Sequence, residues 1–407
     1  MSLSAKIVAR EQPAPSTERG LMWHIITCEY PPQIGGVSDY TCQVAQGLAS
    51  SGDEVHVWCP GRAGSPPQID GVEVHPVLGK FSASDLKAAG RALDSFPQPR
   101  HLLVQWVPHG FGYKSLNLPF CLWLWQRAAR HGDRVDLMVH EPSLPFEKGR
   151  WRQNAAALVH RLMTVIVLRA AQRVYVSTPA WEPRLRPYDG GRHHTFHWLP
   201  VPSNIQKVND AAGTAKIRAQ YAANGPLLGH FGTFGYPTAS MLRATIPALL
   251  QRASSASVLL MGMGSSAFRE ELIGQCPGLA NRVHATGKIE AHSHLSLHLS
   301  ACDLMLQPFP EGVTSRRTSL MAALSHGRAT ITTAGTDTED LWQTSGAVAL
   351  VPAEDTAAFV EAAIRLLESR EQRASLGAAA LEFYRRQFGI EHVVEQVRRI
   401  EEPASEN

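Results

Sequence analysis

Short apolar runs alternate with amphipathic stretches along most of the chain. In the first half MWHIITCEY (22–30) predicts a strand, VSDYTCQVAQGLASSG (37–52) the helix after it and EVHVWCP (54–60) the next strand. HLLVQWV (101–107), VDLMVHE (135–141) and RVYVST (173–178) continue the set. In the second half PLLGHFGTF (226–234), SVLLMGMG (257–264), RVHATGKI (282–289), DLMLQPF (303–309), ATITTAG (329–335) and AVALVPA (347–353) are strand-like, with helical segments between them. Near-continuous apolar strands joined through helices are the mark of parallel sheets covered on both faces. Prolines and polar residues break the pattern at WLPVPSNIQKVND (198–210), which predicts a junction. The expected fold class is therefore α/β, with two Rossmann-like domains facing across a cleft. The expected divisions are a mobile polar leader over 1–20, a first domain over 21–203 and a second over 204–380, followed by a terminal segment over 381–407.

Composition agrees with two domains, since 407 residues are long for one core and natural for two. The 44% hydrophobic and 18% charged content is that of a globular protein, and the net charge is only +3. The charge is uneven: residues 101–200 hold 13 Lys and Arg against 6 Asp and Glu, whereas residues 351–407 hold 7 against 11. A basic first half can attract an anionic acceptor or a membrane surface, although a solvated face is the commoner reason for such a bias. It carries no motif for RNA or DNA, so no nucleic-acid partner is expected. Six scattered cysteines without paired spacing, and a leader lacking a signal-length apolar core, predict a cytoplasmic protein that at most lies against the inner face of a membrane. AAALVHRLMTVIVLRAAQ (155–172) is interrupted by His160, Arg161 and Arg169 and is a poor span. LNLPFCLWLWQRAAR (116–130) suits either a membrane interface or a helix covering the first sheet, and the second reading of Trp123 and Trp125 is preferred.

Ligands of open α/β sheets gather at the carboxyl ends of strands. Gly35 and Gly36 follow the first strand, and Gly232 and Gly235, with Thr233 between them, follow the first strand of the second half. These turns let backbone approach a ligand closely. EGVTSRRTSLMAALSHG (311–327) is the most informative stretch. Leu320, Met321, Ala323 and Leu324 recur at helical spacing, Gly327 stands where a C-terminal cap belongs, and Thr314 or Ser315 is the expected N-cap. Free N–H groups then point outward beside Arg316, Arg317, Thr318 and Ser319. The helix dipole adds about half a positive charge there, and arginine binds phosphate in bidentate fashion, so the helix start suits a diphosphate. His193, His194 and His197, and likewise His294 and His298, lack an acid or cysteine partner in sequence, and no metal site is expected at either.

Taken in order, YPPQIGGVSDY, GDEVHVW, VHE, HFGTFG, LLMGMG, ATGKI, CDLMLQPFPEGVTSRRTSLMAALSHGRATITTAG and the Ala-rich helices that follow resemble the family-4 retaining glycosyltransferases of the twin-Rossmann GT-B fold. The likeness runs from about Met22 to about Phe388. It implies an N-terminal acceptor-binding domain, a C-terminal nucleotide-sugar domain and a final helix that returns toward the first domain. It further implies a nucleotide-sugar as substrate rather than cofactor, no metal, and a glycan or lipid-linked acceptor. The donor-binding residues implied are Gly35, Gly36, Gly232, Thr233, Lys288, Glu311, Arg316, Arg317, Thr318 and Ser319. The catalytic pair that the resemblance implies is His140, near the reacting sugar, and Glu141, orienting the acceptor hydroxyl. Departures mark a divergent branch. The family's two glutamates fall at Thr314 and Ala322, leaving Glu311, Glu339 and Asp340 as other acids. Its basic pair after the second glycine turn is absent, and Arg316 and Arg317 are read as its replacement. The alternatives are a sugar-nucleotide-binding protein without transfer, and a non-glycosidic coupling enzyme of the same fold.

Overall fold

The computed structural model describes residues 20–33, 35–61, 64–112, 116–222 and 224–399, so nearly all of the expected leader lies outside the described residues. Two parallel sheets form. The first contains β1 (Met22–Ile26), β2 (Glu54–Trp58), β3 (Val72–His75), β4 (His101–Trp106), β5 (Arg134–Val139), β6 (Arg173–Val176) and β7 (Phe196–Trp198), in the order β3-β2-β1-β4-β5-β6-β7. The second contains β8 (Leu227–Phe231), β9 (Ser257–Met261), β10 (Val283–Ala285), β11 (Leu304–Gln307), β12 (Thr330–Ala334) and β13 (Ala349–Pro352), in the order β10-β9-β8-β11-β12-β13. Helices α1 (Gly36–Ser50), α2 (Ala83–Leu93), α3 (Leu118–His131), α4 (Trp151–Ala170) and α5 (Glu182–Leu185) belong to the first half of the chain. The second half supplies α6 (Ala211–Tyr221), α7 (Tyr236–Arg252), α8 (Ser265–Gln275), α9 (His292–Ala301), α10 (Thr318–Ser325), α11 (Asp340–Thr344), α12 (Thr356–Glu368), α13 (Arg370–Gln387) and α14 (Ile390–Arg398). This is the α/β architecture of two Rossmann-like domains. The strand order reverses between β1 and β4 and again between β8 and β11, the switch points where ligands of such sheets bind.

The apolar runs become strands because both faces of each sheet are covered. Every residue of β4 is buried. On one face of the first sheet Ile26, Trp58 and Val104 pack with Leu86 of α2, Phe120 and Leu124 of α3 and Met163 of α4. On the other, Ile25, Val55 and Val57 pack with Tyr40, Val44 and Leu48 of α1. Two strands escape the sequence reading. β3 is an edge strand, VEVH, with half-buried alternating polarity, and β7 has three residues beside the stretch expected to be a junction. α3 buries Phe120, Cys121, Leu124 and Arg127 but leaves Trp125 exposed, so the expected covering role holds for one stripe of the helix only.

The terminal segment crosses back to the first domain. Val393, Val394 and Val397 of α14 join the core beneath α1, and burying each such side chain is worth about 1.5–3 kcal/mol. The carbonyls of Gln396 and Val397 accept from Tyr175 Oη at 3.3 Å and Arg173 Nη2 at 3.2 Å, which satisfies groups that a helix end leaves open. Arg398 Nε lies 3.0 Å from buried Asp53. Elsewhere Asn204 Nδ2 donates to Asp39 at 2.8 Å and Thr178 Oγ1 donates to Glu339 at 2.8 Å, tying the halves together on either side of the cleft.

Candidate active site

At the carboxyl edge of the second sheet, the loops after β8, β9, β10 and β11 and the start of α10 enclose a cleft of about 450 Å³. Gly232, Thr233, Lys288, Arg316, Arg317, Thr318 and Ser319 line this one space. Residues as far apart in sequence as Gly232 and Ser319 are thus brought together by the switch point at β8 and β11. Gly35, Gly36, His140, Glu141 and Glu311 stand outside its wall. A larger cavity of about 1350 Å³ lies between α1, the connection around Pro202–Asn209 and α14, and contains none of the groups at the α10 start.

α10 begins at Thr318, and no side chain caps it. The expected cap at Thr314 or Ser315 does not form because the helix starts later, with Arg317 in the N-cap position, and the loop before it is held instead by Glu339. Glu339, 24 residues on, accepts from Ser315 N at 2.6 Å and Ser315 Oγ at 2.7 Å, and also from Trp342 Nε1 at 3.0 Å and from Thr178. Leu320 N and Met321 N turn back to Arg317 O at 2.9 and 3.1 Å. The first N–H groups of the helix have no acceptor one turn earlier, and they open where Thr318 and Ser319 line the cleft. Gly327, with φ of 65°, closes the other end in the left-handed conformation as expected.

The two arginines differ. The Arg317 guanidinium lies 4.7 Å from the Phe309 ring centroid, and its Nη2 is 3.3 Å from Glu311. Glu311 therefore sits on the outer side of Arg317, partly neutralising it, rather than on the cleft wall. Arg316 lies 4.7 Å over the ring of Trp181, a residue of the first domain whose Nε1 donates to His140 O at 3.0 Å. His140 follows β5, with Nε2 2.8 Å from Gln105 Oε1 and its ring edge-on to Tyr40 at 4.9 Å. Burial, reinforced by the charge of Arg316, holds its imidazole down to about 3, so it is neutral near pH 7. Glu141 is half exposed at the rim, 3.6 Å from His109 Nδ1. Arg316 is thus the link between the cleft and the His140 corner.

The glycine turn after β1 departs from expectation. The Glu29 carboxylate accepts from Val37 N and Ser38 N, each at 3.0 Å, and so occupies the start of α1 with a negative charge of the protein's own. Those amides are not free to meet a phosphate. A Cβ on Gly35 would fall 2.2 Å from Glu29 Oε1, whereas one on Gly36 would meet no atom within 4 Å. At the family's two glutamate positions stand half-buried Thr314 and Ala322, the latter fully enclosed in the core beside the second sheet. Lys288 keeps its place on the cleft with Nζ 2.8 Å from Glu290.

Two cleft residues were not singled out in the sequence. His230 Nδ1 donates to Leu306 O at 2.7 Å, which leaves a bare acceptor at Nε2, buried and without a partner. Gln307 Nε2 donates to Phe231 O at 3.1 Å and leaves Oε1 likewise unpartnered. Burial lowers His230 to about 4, so Nε2 stays an acceptor near neutrality. Buried unpaired acceptors are uncommon and suit hydroxyl or N–H groups of a ligand. Their signal was a polar residue near the end of an otherwise apolar run, in LLGHF and LMLQ. Of the histidines considered for metal, His194 bonds Asp189 and Ala171 O, and His298 Nδ1 donates to His294 O at 2.8 Å.

Residues 35–202 match the glycosyl transferase 4-like domain family, and residues 225–369 match glycosyl transferases group 1. Among curated proteins no sequence matches the chain. Among solved structures, sucrose-phosphate synthase from Thermosynechococcus elongatus is similar with a TM-score of 0.64 and 17% identity, over 93% of this chain and 97% of that one. Anabaena HepE in complex with UDP and glucose is similar with a TM-score of 0.62 and 17% identity, over 92% and 98%. The trehalose-phosphate synthase from Burkholderia xenovorans has a TM-score of 0.60 and 13% identity, over 93% and 99%. At these identities the likeness shows the fold, and the two family matches, one in each domain, show the lineage. The chain belongs to the family-4 glycosyltransferases built on the twin-Rossmann GT-B fold.

Proposed function

We propose that this glycosyltransferase moves a hexosyl group from a nucleoside-diphosphate sugar to a hydroxyl of a glycan or lipid-linked acceptor, with retention of anomeric configuration. The observation that carries the reading is the uncapped start of α10 with Arg316 reaching from the cleft to the first domain. In this reading the diphosphate rests on the N–H groups of Thr318 and Ser319 between Arg316 and Arg317, with Gly232 and Thr233 close beneath. His230 and Gln307 accept from the nucleoside, and Lys288 stands beside it. The acceptor oxygen bonds to the anomeric carbon on the face from which the diphosphate departs. The bond from that carbon to the phosphate oxygen breaks, its electron pair leaves with the diphosphate, and the leaving phosphate takes the acceptor proton. The arginines and helix dipole stabilise the charge that develops, so the work is positioning and electrostatics, without an enzyme nucleophile. Because two arginines supply that charge, no metal is assigned to the step. Neutral His140 faces the transferred sugar, Glu141 orients the acceptor hydroxyl, and Gly35 and Gly36 shape the first-domain side of the cleft.

HepE binds UDP and UDP-glucose, which supports a nucleotide-sugar as the partner and UDP-glucose as the first donor to try. Supplied with UDP-, GDP- and ADP-sugars and an acceptor panel, the protein is expected to release nucleoside diphosphate and give an α-linked product from an α-linked donor. A β-linked product overturns retention. Tight donor binding with no turnover on any acceptor favours the second reading, a sugar-nucleotide-binding protein, for which the non-acidic Thr314 and Ala322 speak. A lipid-linked acceptor has support in the surface of α3 and α4. Leu122, Trp125, Phe146, Trp151, Leu158 and Leu162 are exposed there. Arg161 and Arg152 lie 3.8 and 5.3 Å over the Phe146 and Trp151 rings. No helix among the described residues is long and apolar enough to cross a membrane. Peripheral contact with anionic lipid is the corresponding proposal, and co-sedimentation with anionic but not zwitterionic vesicles is its expected outcome.

A further inference from the structure

β3 closes the outer edge of the first sheet, and its register on β2 sets His56 opposite Glu73 and Trp58 opposite His75. Because side chains alternate along a strand, Glu54, His56 and Trp58 share one face with Glu73 and His75. On that face His56 Nδ1 lies 3.0 Å from His75 Nε2 and 3.5 Å from Glu73 Oε2, while Glu73 Oε1 lies 3.7 Å from His75 Nε2. Three ligand atoms on a tetrahedral cation with bonds of about 2.0–2.1 Å stand about 3.3 Å from one another; the two nitrogens are slightly closer than this, and each lies slightly farther than this from one of the two oxygens of the Glu73 carboxylate, which turns about its own axis to offer either.

The surroundings fit the same purpose. His56 is buried, and its other nitrogen, Nε2, is 3.0 Å from Glu54 Oε1. A carboxylate there holds the proton on Nε2 and leaves Nδ1 bare toward the cluster, the pairing that metal-binding histidines usually make. The ring planes are fixed as well: His24 stacks on His56 at 5.2 Å and Trp58 on His75 at 4.2 Å. Two imidazole nitrogens facing each other at 3.0 Å need either a proton or a cation between them. Glu73 is two-thirds exposed, so a fourth position opens to solvent.

We propose that His56, His75 and Glu73 bind one zinc-type divalent cation, with Glu54 as the supporting carboxylate and solvent as the fourth ligand. Two imidazoles and a carboxylate suit zinc, whereas calcium and magnesium prefer all-oxygen sets. The cation fastens the short, half-buried edge strand β3 to β2. None of these residues lines the interdomain cleft, so the site stands apart from the transfer reaction.

The test uses the full chain, stripped with chelator, desalted and titrated with ZnCl2, then with CoCl2 as a spectroscopic probe. One equivalent of zinc, a raised Tm and the visible bands of four-coordinate cobalt are expected. Glu73→Gln and His75→Ala should each weaken zinc binding tenfold or more and abolish the cobalt bands. Exposed Glu73→Gln keeps the metal-free Tm, which preserves the test if the histidine variant folds poorly. His294→Ala, which alters a close histidine pair on α9, should change nothing. A protein that holds no zinc, an affinity unchanged in both site variants, or a loss that follows His294 instead overturns the site.

Discussion

At the residue scale, Arg316, in the loop before α10, and Glu339, in the loop between β12 and α11, make opposite predictions. Arg316→Ala should weaken UDP binding tenfold or more, since a charge-assisted bond contributes about 1.5–3 kcal/mol. Lysine should restore only part of this, because it stacks less well on Trp181 and cannot grip phosphate through two N–H groups. Calorimetry with UDP measures both, and wild-type affinity in the alanine variant removes Arg316 from the diphosphate site. Glu339 is different because its carboxylate already accepts from Ser315 N, Ser315 Oγ, Thr178 Oγ1 and Trp342 Nε1. It holds the loop that precedes α10 and ties it to the first domain. Glu339→Gln exchanges one acceptor oxygen for a donor NH2, so the expected result is a stability loss of about 1–3 kcal/mol with a secondary loss of UDP affinity. A loss of affinity with no change in Tm would instead mean that Glu339 touches the ligand.

At the element scale, the two glycines at the start of α1 differ in what surrounds them. Gly35→Ala puts a Cβ into the Glu29 carboxylate that caps the helix, and should cost about 1 kcal/mol through the lost cap, read as a lower Tm. Gly36→Val puts its side chain into open space. It should keep a cooperative melt and lose transfer more than UDP affinity, whereas a folded, fully active variant would make this turn merely structural. The strands with continuous apolar runs were legible in sequence because burial on both faces removes any need for polar residues. β3 was not, since an edge strand tolerates Glu73 and His75, and neither was β7, with only Phe196–Trp198. The α10 cap was misread because the helix starts later than Ser315, whose loop is held by Glu339, near in space and distant in sequence. The helix start at Thr318 on the cleft, with two arginines before it, was legible from an Ala- and Leu-rich run that closes on Gly327. The free acceptors of His230 and Gln307 were not, because an unpaired atom is defined by what surrounds it. Likewise, only the register of β3 on β2 brings His56 and His75 together.

At the scale of the whole molecule, buried neutral histidines in both domains set the response to acid. His140 is held down to about 3 by burial and then by Arg316. His230 is lowered to about 4 by burial against the opposing bond to Leu306 O. His326 is lowered to about 4 chiefly by burial, with Lys207 and Arg328 adding to the effect and the bond to Ala322 O opposing it. Burial also lowers His101, His284 and His298. An unfolded histidine titrates near 6.5, so between that pH and the folded values the unfolded chain binds more protons. Their stabilisation is therefore complete above about pH 7 and is lost as pH falls through 6.5 toward 4. By the linkage relation each of the first three removes about 2 kcal/mol at pH 5, a large share of the ~5–15 kcal/mol that holds a typical domain folded. Urea unfolding at pH 5, 6, 7 and 8 should show stability rising steeply to pH 7 and flattening beyond it, with net proton uptake on unfolding at pH 5. The same shift sets an expectation for catalysis. His140 does not change charge between pH 5 and 8, so the transfer rate of folded protein should show no inflection from it in that window. Equal stability at pH 5 and pH 8 would mean that these imidazoles are not held neutral by the fold, and would remove the electrostatic basis for a neutral His140 beside Arg316.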